Sequence, residues 1–218
     1  MVKNLIFDLD GTLLDTLPDI TRAINDALKA EGYGYSFNLD EAKGLIGGGA
    51  DRLIRKALKD KGKDEKRFDR LKKAYMPLYK AYQEDTTAPF KGIKDALSLL
   101  KSKGIRMFVI SNKPDELAKI IVPHYLPSCF EGVQGQQEGA LPKPDPSSTL
   151  HLIADFKLDK QETLYVGDSS FDVDTAHNAL IRSVLVTWGY GYYSKELLSK
   201  SDYSINSPAE LITLVESL

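Results

Sequence analysis

Short runs dense in Val, Ile and Leu alternate along the chain with stretches whose apolar residues recur every three or four positions. Asn4 to Phe7, Arg106 to Ile110, Thr163 to Val166 and Ser183 to Thr187, with a weaker run at Asp202 to Ile205, have the continuous apolar character of strands buried on both faces. Phe130 to Gln134 is expected to add a shorter strand. Between them Ile93, Leu97 and Leu100, and then Leu150, Ile153 and Ala154, lie at helical spacing. The alternation predicts an α/β fold built on a doubly wound parallel sheet.

One interval breaks the pattern. After the first strand no second one is expected until about Arg106, and helix follows helix. The first of these follows Thr16, with Pro18 and Asp19 in its first turn and Ile20, Ala23, Ile24, Ala27 and Leu28 on one face. Leu53, Ile54, Ala57 and Leu58 form a second face. Phe68, Leu71, Tyr75, Leu78 and Tyr82 form a third, in a helix that Pro77 is expected to kink or split. The division predicted is therefore a sheet-based core over 1–15 and 83–218 and an inserted all-helical domain over 16–82.

With 218 residues the chain can bury a substantial core, as one large domain or as a core plus a small insert. Its 28% charged and 42% hydrophobic residues favour neither disorder nor a membrane class. A formal net charge of -2 supplies no basic field for nucleic acid or anionic lipid, so neither a nucleic acid nor a membrane is expected as a partner. A single cysteine, Cys129, allows no internal disulfide, and no signal peptide or membrane-length apolar run is visible, so a cytoplasmic location is expected.

Four segments carry chemistry. The first strand ends in Phe7-Asp8-Leu9-Asp10-Gly11-Thr12, placing two carboxylates where an apolar strand gives way to a glycine turn. Side chains at i and i+2 share a side, and in open α/β sheets ligands bind beyond the carboxyl ends of the strands, so Asp8 and Asp10 should converge on one site. The second strand ends in Ser111-Asn112-Lys113-Pro114, offering a hydroxyl and an amide donor suited to an anion, although Ser and Asn before a helix are also ordinary N-caps. In Leu141-Pro142-Lys143-Pro144 the flanking prolines fix the backbone around Lys143. Gly167-Asp168-Ser169-Ser170-Phe171-Asp172 follows the fourth strand, and Asp168 should face the first pair. Clustered carboxylates are the ligands that Mg²⁺ prefers, while Asp172 could orient a bound water or Lys143, or merely start a helix. A carboxylate approaching a phosphate dianion meets like charge, about 4 kcal/mol at 4 Å and an effective dielectric near 20. Mg²⁺ and Lys143 on either side would offset it.

Taken in order, Asp8-Leu9-Asp10-Gly11-Thr12, Ser111, Lys143 and Gly167-Asp168 resemble the haloacid dehalogenase superfamily across nearly the whole chain. The resemblance implies a Rossmann-like core and a phosphohydrolase in which Asp8 forms an aspartyl-phosphate. Asp10 would protonate the leaving alcohol and then activate water, and Ser111 and Lys143 would hold the phosphoryl oxygens. Asp168 would bind Mg²⁺ with Asp8 and the Asp10 backbone carbonyl. The expected partner is a small phosphorylated metabolite, and the protein a monomer or homodimer.

A helical insert directly after the first motif resembles the cap of the phosphoglycolate phosphatase branch, and Ile46-Gly47-Gly48-Gly49-Ala50-Asp51-Arg52 is similar to its cap loop. Gly48 could present its backbone N–H to an anion and Arg52 could pair with a substrate carboxylate, or the glycines could simply start a helix with Arg52 in water. Trp188-Gly189-Tyr190-Gly191 also resembles this branch, and Leu180 departs from it where relatives commonly carry glycine, so that turn is expected to be rebuilt.

The reading implied is a Mg²⁺-dependent phosphatase, with 2-phosphoglycolate as the expected substrate. The alternatives are a β-phosphoglucomutase or another sugar-phosphate or pyrophosphate enzyme of the superfamily and, from another class, a phospho-accepting regulatory receiver, which would lack a helical cap. A dehalogenase proper needs no acid at Asp10. A phosphonate hydrolase needs a cap-loop lysine, and Lys43 is misplaced for that role. An inactive scaffold would not retain the full residue set.

Overall fold

The computed structural model describes residues 1–218. Strand β1 (Asn4–Phe7), entirely buried, lies between β4 (Arg106–Pro114) and β6 (Thr163–Gly167). Outside these lie β5 (Gly132–Gln136) on one flank and β7 (Arg182–Val186) and β8 (Tyr203–Ile205) on the other. The order is β5-β4-β1-β6-β7-β8 and every pairing is parallel. The chain winds outward from β1 in one direction and then in the other, which makes the carboxyl ends of β1 and β6 the topological switch point.

Helices cover both faces of the sheet. Leu5, Phe7, Val109 and Val166 pack on one side with α5 (Ile93–Ser102), α6 (Asp115–Tyr125) and α10 (Pro208–Ser217). Ile6, Phe108 and Tyr165 pack on the other with α7 (Ser147–Asp155) and α8 (Ser170–Asn178). A short α9 (Lys195–Lys200) covers the β7 end, where Leu197 meets Leu185. No helix is long and apolar enough to cross a membrane.

Between β1 and α5 lie α1 (Leu17–Ala30), α2 (Leu39–Lys43), α3 (Gly49–Ala57) and α4 (Glu65–Tyr82). The expected inner face of α1 is wholly buried, against Leu53, Ile54, Phe68, Leu71 and Tyr75, in a cluster to which the sheet domain contributes Leu117 of α6. Each fully buried Ile or Leu in such a face contributes about 1.5–3 kcal/mol. We take this helical interval as a cap seated on the sheet.

Three local expectations need correction. The first strand is followed, before Arg106, by a two-residue antiparallel pair, β2 (Leu14–Asp15) with β3 (Ala88–Pro89), where the chain leaves the sheet domain and returns. Pro77 does not split its helix: α4 runs through it as one element, with the proline on the exposed side and Tyr75 and Tyr79 buried around it. The turn at Leu180 is not rebuilt. Leu180 takes the left-handed conformation itself (φ 59°), Ile181 N–H bonds the Ala176 carbonyl, and the leucine side chain is left 78% exposed. A leucine there costs about 1–2 kcal/mol, part of which a glycine would give back as unfolded-chain entropy. Leu180→Gly is therefore expected to stabilise the protein by roughly 0.5–1 kcal/mol, seen as a melting temperature raised by about 1–4 °C. A lower melting temperature would contradict the strain.

Candidate active site

In the sheet register Phe7 lies beside Val109 and Val166. Asp8, one residue on, is anchored by its N–H to the Val166 carbonyl at 2.9 Å, and Ser111 and Asp168 emerge at the same edge. Asp8, Asp168 and Asp172 each bring an oxygen within 4.8 Å of the others, all buried. Lys143 reaches into this group with Nζ 2.8 Å from Asp8 Oδ1 and 2.6 Å from Asp172 Oδ1. Apart from that ion pair Asp8 Oδ1 has no partner.

The electrostatics follow from burial. Burial pushes the Asp8 carboxyl up to about 7: Lys143 opposes the rise, and Asp172 and Asp10 add to it. Asp168 is likewise held well above the usual carboxylate range by burial and then by Asp172 and Asp8. Burial alone would lower Lys143, but Asp172 and Asp8 outweigh it and hold the ammonium well above its ordinary value. Three buried carboxylates face one ammonium. If all are ionised, two negative charges remain in excess, which is the deficit a divalent cation of the hard, oxygen-seeking kind would fill.

Several contacts hold these groups in place. Asp172 caps α8 through Ser169 N–H (3.0 Å) and Ser169 Oγ (2.6 Å) while pairing with Lys143, so the helix-start and lysine-orienting alternatives are both realised. Gly167 is required beneath it, since a Cβ there would lie 2.2 Å from Asp172 Cγ. Asp168 Oδ2 accepts the Tyr190 N–H at 2.7 Å, and the Tyr190 hydroxyl accepts from Thr16 and Leu17 N–H while donating to Asp15 Oδ1 at 2.6 Å. The turn Trp188-Gly189-Tyr190-Gly191 thus ties Asp168 to the strand-to-cap crossing. At the same crossing Asp19, expected only as a first-turn acid, accepts the Thr86 and Thr87 amides, at 3.0 and 2.8 Å on Oδ2, and both hydroxyls.

Strand β4 was expected to stop at Ile110 but continues to Pro114, with a register shift against β5 between Ile110 and Pro114. Such irregularities re-aim side chains. Here the affected residues are Ser111, Asn112 and Lys113. Neither Ser111 nor Asn112 is an N-cap, since α6 is entered from Pro114 with no side-chain cap. Ser111 Oγ is buried and accepts the Lys113 N–H at 3.2 Å. Asn112 does not offer a free amide to an anion: its Nδ2 donates to the Gly47 carbonyl at 3.0 Å and the Lys143 carbonyl at 3.4 Å, and its Oδ1 accepts the Lys143 N–H at 2.8 Å. Its side chain clamps the lysine loop and the cap loop together.

Asp10 does not join the buried trio. Its carboxylate turns toward Lys113, whose Nζ is 3.5 Å from Asp10 Oδ1 and bonds the Tyr79 hydroxyl of α4. Burial lowers the Lys113 ammonium, and Asp10 offsets this only in part. Neither Lys113 nor Tyr79 stood out in the sequence; the one signal was a lysine next to Ser-Asn at a strand end.

Beneath the cap, Asp8, Asp10, Ser111 and Lys113 line a narrow pocket of about 30 Å³ together with Ile20, Ile46, Leu53, Tyr75 and Tyr79. A water needs about 10–15 Å³, so the pocket in this arrangement has room for a few waters. An outer cleft of about 700 Å³ is lined by Asp10, Asp168, Arg52 and Phe171. Of the three aspartates Asp8, Asp10 and Asp168, Asp10 alone borders both spaces.

Gly48 is the N-cap of α3, and its small size lets the Arg52 side chain cross it: a Cβ would meet Arg52 Cδ at 2.2 Å. Its neighbours Gly47 (φ 101°) and Gly49 (φ 81°) bring the loop against Phe171 and the Asn112 carbonyl, within 3.2 Å of a built Cβ in each case. Arg52 does not reach the inner cavity. On α3 the adjacent Leu53 points inward, and Arg52 is turned into the outer cleft with its guanidinium 5.0 Å from the Phe171 ring centroid.

Comparison with known proteins agrees with this geometry. The haloacid dehalogenase-like hydrolase family model matches residues 5–186. A phosphoglycolate phosphatase of Aquifex aeolicus is 31% identical over 217 residues, covering 99% of this chain and 98% of that protein. One from Cereibacter sphaeroides is 36% identical over 192 residues, 87% of each. Among solved structures, a predicted phosphoglycolate phosphatase from Haemophilus somnus superposes with a TM-score of 0.89 at 30% identity, over 98% of this chain and 97% of that one. Matching nearly end to end in both sequence and fold, the chain belongs to the haloacid dehalogenase-like hydrolases, in their phosphoglycolate phosphatase-like branch.

Proposed function

We propose that the chain is a magnesium-dependent phosphatase that hydrolyses a small phosphomonoester through an aspartyl-phosphate on Asp8, with 2-phosphoglycolate as the substrate its relatives' names make the first choice. One observation carries the reading: a carboxylate oxygen of Asp8, buried and paired only with Lys143, stands at the switch point within reach of Asp168 and Asp172 and under a helical cap. Asp8 and Asp168, with the Asp10 backbone carbonyl, would hold the cation beside Asp172, and a bound Mg²⁺ would offset the charge of both the nucleophile and the phosphoryl group.

In the first step the Asp8 oxygen bonds to phosphorus as the ester P–O bond breaks, and Asp10 gives its proton to the departing oxygen. In the second, Asp10 takes a proton from water, whose oxygen displaces Asp8 and releases inorganic phosphate. Asp10 suits both roles because it borders the inner cavity and the outer cleft, so ester and water can reach it from different sides. Lys143 and Ser111 hold phosphoryl oxygens. A phospho-accepting receiver has no use for the cap that closes over Asp8. The space over Asp8 beneath the cap is about 30 Å³, so the reading includes a cap movement that admits the substrate.

Phosphate release from a panel of phosphate esters, with and without Mg²⁺, tests the function; no turnover of any ester in Mg²⁺ would refute it. A separate expectation concerns the metal alone. At about 100 times its dissociation constant a cation bound only by the folded state adds about 2.7 kcal/mol. Mg²⁺ added to protein treated with a chelator should therefore raise the melting temperature by roughly 5–10 °C. The gain should be greater near pH 8 than near pH 5, because protons and cation compete for the same oxygens. An unchanged melting temperature across millimolar Mg²⁺ would argue against a metal site.

A further inference from the structure

We propose that Lys113, with the Tyr79 hydroxyl, is the binding site for the second anionic group of the substrate, the carboxylate of a phosphorylated hydroxy acid. This deepens the phosphatase reading and rests on it. The inner pocket is where the leaving group must lie, since it joins Asp8 and Asp10 to the underside of the cap, whose lining there is Ile20, Ile46 and Leu53 with the phenols of Tyr75 and Tyr79. Lys113 is the single cationic residue in that lining. Its side chain is 0% exposed, and its ammonium has three protons for one bond to Tyr79 and one long contact with Asp10 at 3.5 Å. A buried ammonium so weakly paired is an anion site in need of an anion.

The other candidates are less well placed. Lys143 is already committed to Asp8 and Asp172 at 2.8 and 2.6 Å. Arg52 lies over Phe171 in the outer cleft. Lys113 stands beside Asp10, the group assigned to the leaving oxygen, which is the side on which a short hydroxy acid would carry its carboxylate.

The test compares 2-phosphoglycolate with ethyl phosphate, an ester of similar size that lacks the carboxylate, using the full chain with Mg²⁺. In the wild type kcat/KM should favour 2-phosphoglycolate by at least about tenfold, and Lys113→Met should remove about a hundredfold on 2-phosphoglycolate but only a few-fold on ethyl phosphate. Lys113→Gln serves if the methionine variant does not fold. Equal wild-type values for the two esters overturn the proposal without any variant. So does an equal loss on both esters, which would make Lys113 a positioning residue for Asp10. A preference lost in Arg52→Ala and kept in Lys113→Met would move the carboxylate to the outer cleft and also overturn it. If neither ester turns over, the phosphatase reading fails by itself; calorimetric binding of the two esters to Asp8→Asn, with and without Lys113→Met, still shows whether Lys113 selects the carboxylate.

Discussion

Asp8→Asn is expected to lower phosphate release by at least about 10⁴-fold without loss of fold, because the amide has the shape of the carboxylate but cannot form an acyl phosphate. The effect on stability separates this from damage. Asp8 is one of three buried carboxylates around a single ammonium, and burial has already pushed its own carboxyl up to about 7. A neutral side chain removes part of that repulsion, so metal-free Asp8→Asn should melt no lower than the wild type and, above neutral pH, higher. Initial-rate assays beside melting curves check both halves. Substantial residual activity would remove Asp8 from the reaction, and a much lower melting temperature would mean that its charge is needed to hold the site together.

Lys143→Met is expected to be the most destabilising change at the site. It leaves Asp8 and Asp172 buried without their shared cation. Breaking a buried pair in this way costs about 3–5 kcal/mol. For a chain of this size that corresponds to a melting temperature lower by roughly 6–20 °C. The pH dependence has a definite sign. A carboxyl whose folded-state pKa is raised binds more protons folded than unfolded, so its contribution favours the fold at low pH and is lost as pH rises from the ordinary carboxylate range through the raised value. Without Lys143, Asp8 rises further above about 7, and the deficit of the variant should shrink on acidification toward pH about 5. A deficit independent of pH would show that Lys143 acts through packing. Catalysis should fall with stability, since the lysine also meets the phosphoryl oxygens in the proposed reaction.

The sheet was legible because its central strands are buried on both sides and cannot be written in other than apolar residues; β1, β6 and β7 fall within a residue of their expected places. Asp8, Lys143 and Asp168 were legible for a related reason, in that charge or a proline frame at a strand end has no role in packing. What escaped depends on partners distant in sequence. The pair β2 and β3 is two residues long on each side, too short for alternation to register. The split expected at Pro77 did not occur, and the proline lies on the side of the helix that faces water. Lys113 and Tyr79 are 34 residues apart and meet only where α4 lies over the end of β4. Asn112 looked like a free donor, and nothing local shows that Gly47 and Lys143 use its amide.

Gly47 and Gly49 seat the cap on the sheet domain by close approach of bare backbone to Phe171 and Asn112. Gly47 and Gly49 also line the inner pocket, whose other cap-side walls are carried by α1, α3 and α4. Seam and roof therefore share one loop, and a side chain added at either glycine would disturb the seating of the cap and the shape of the pocket together.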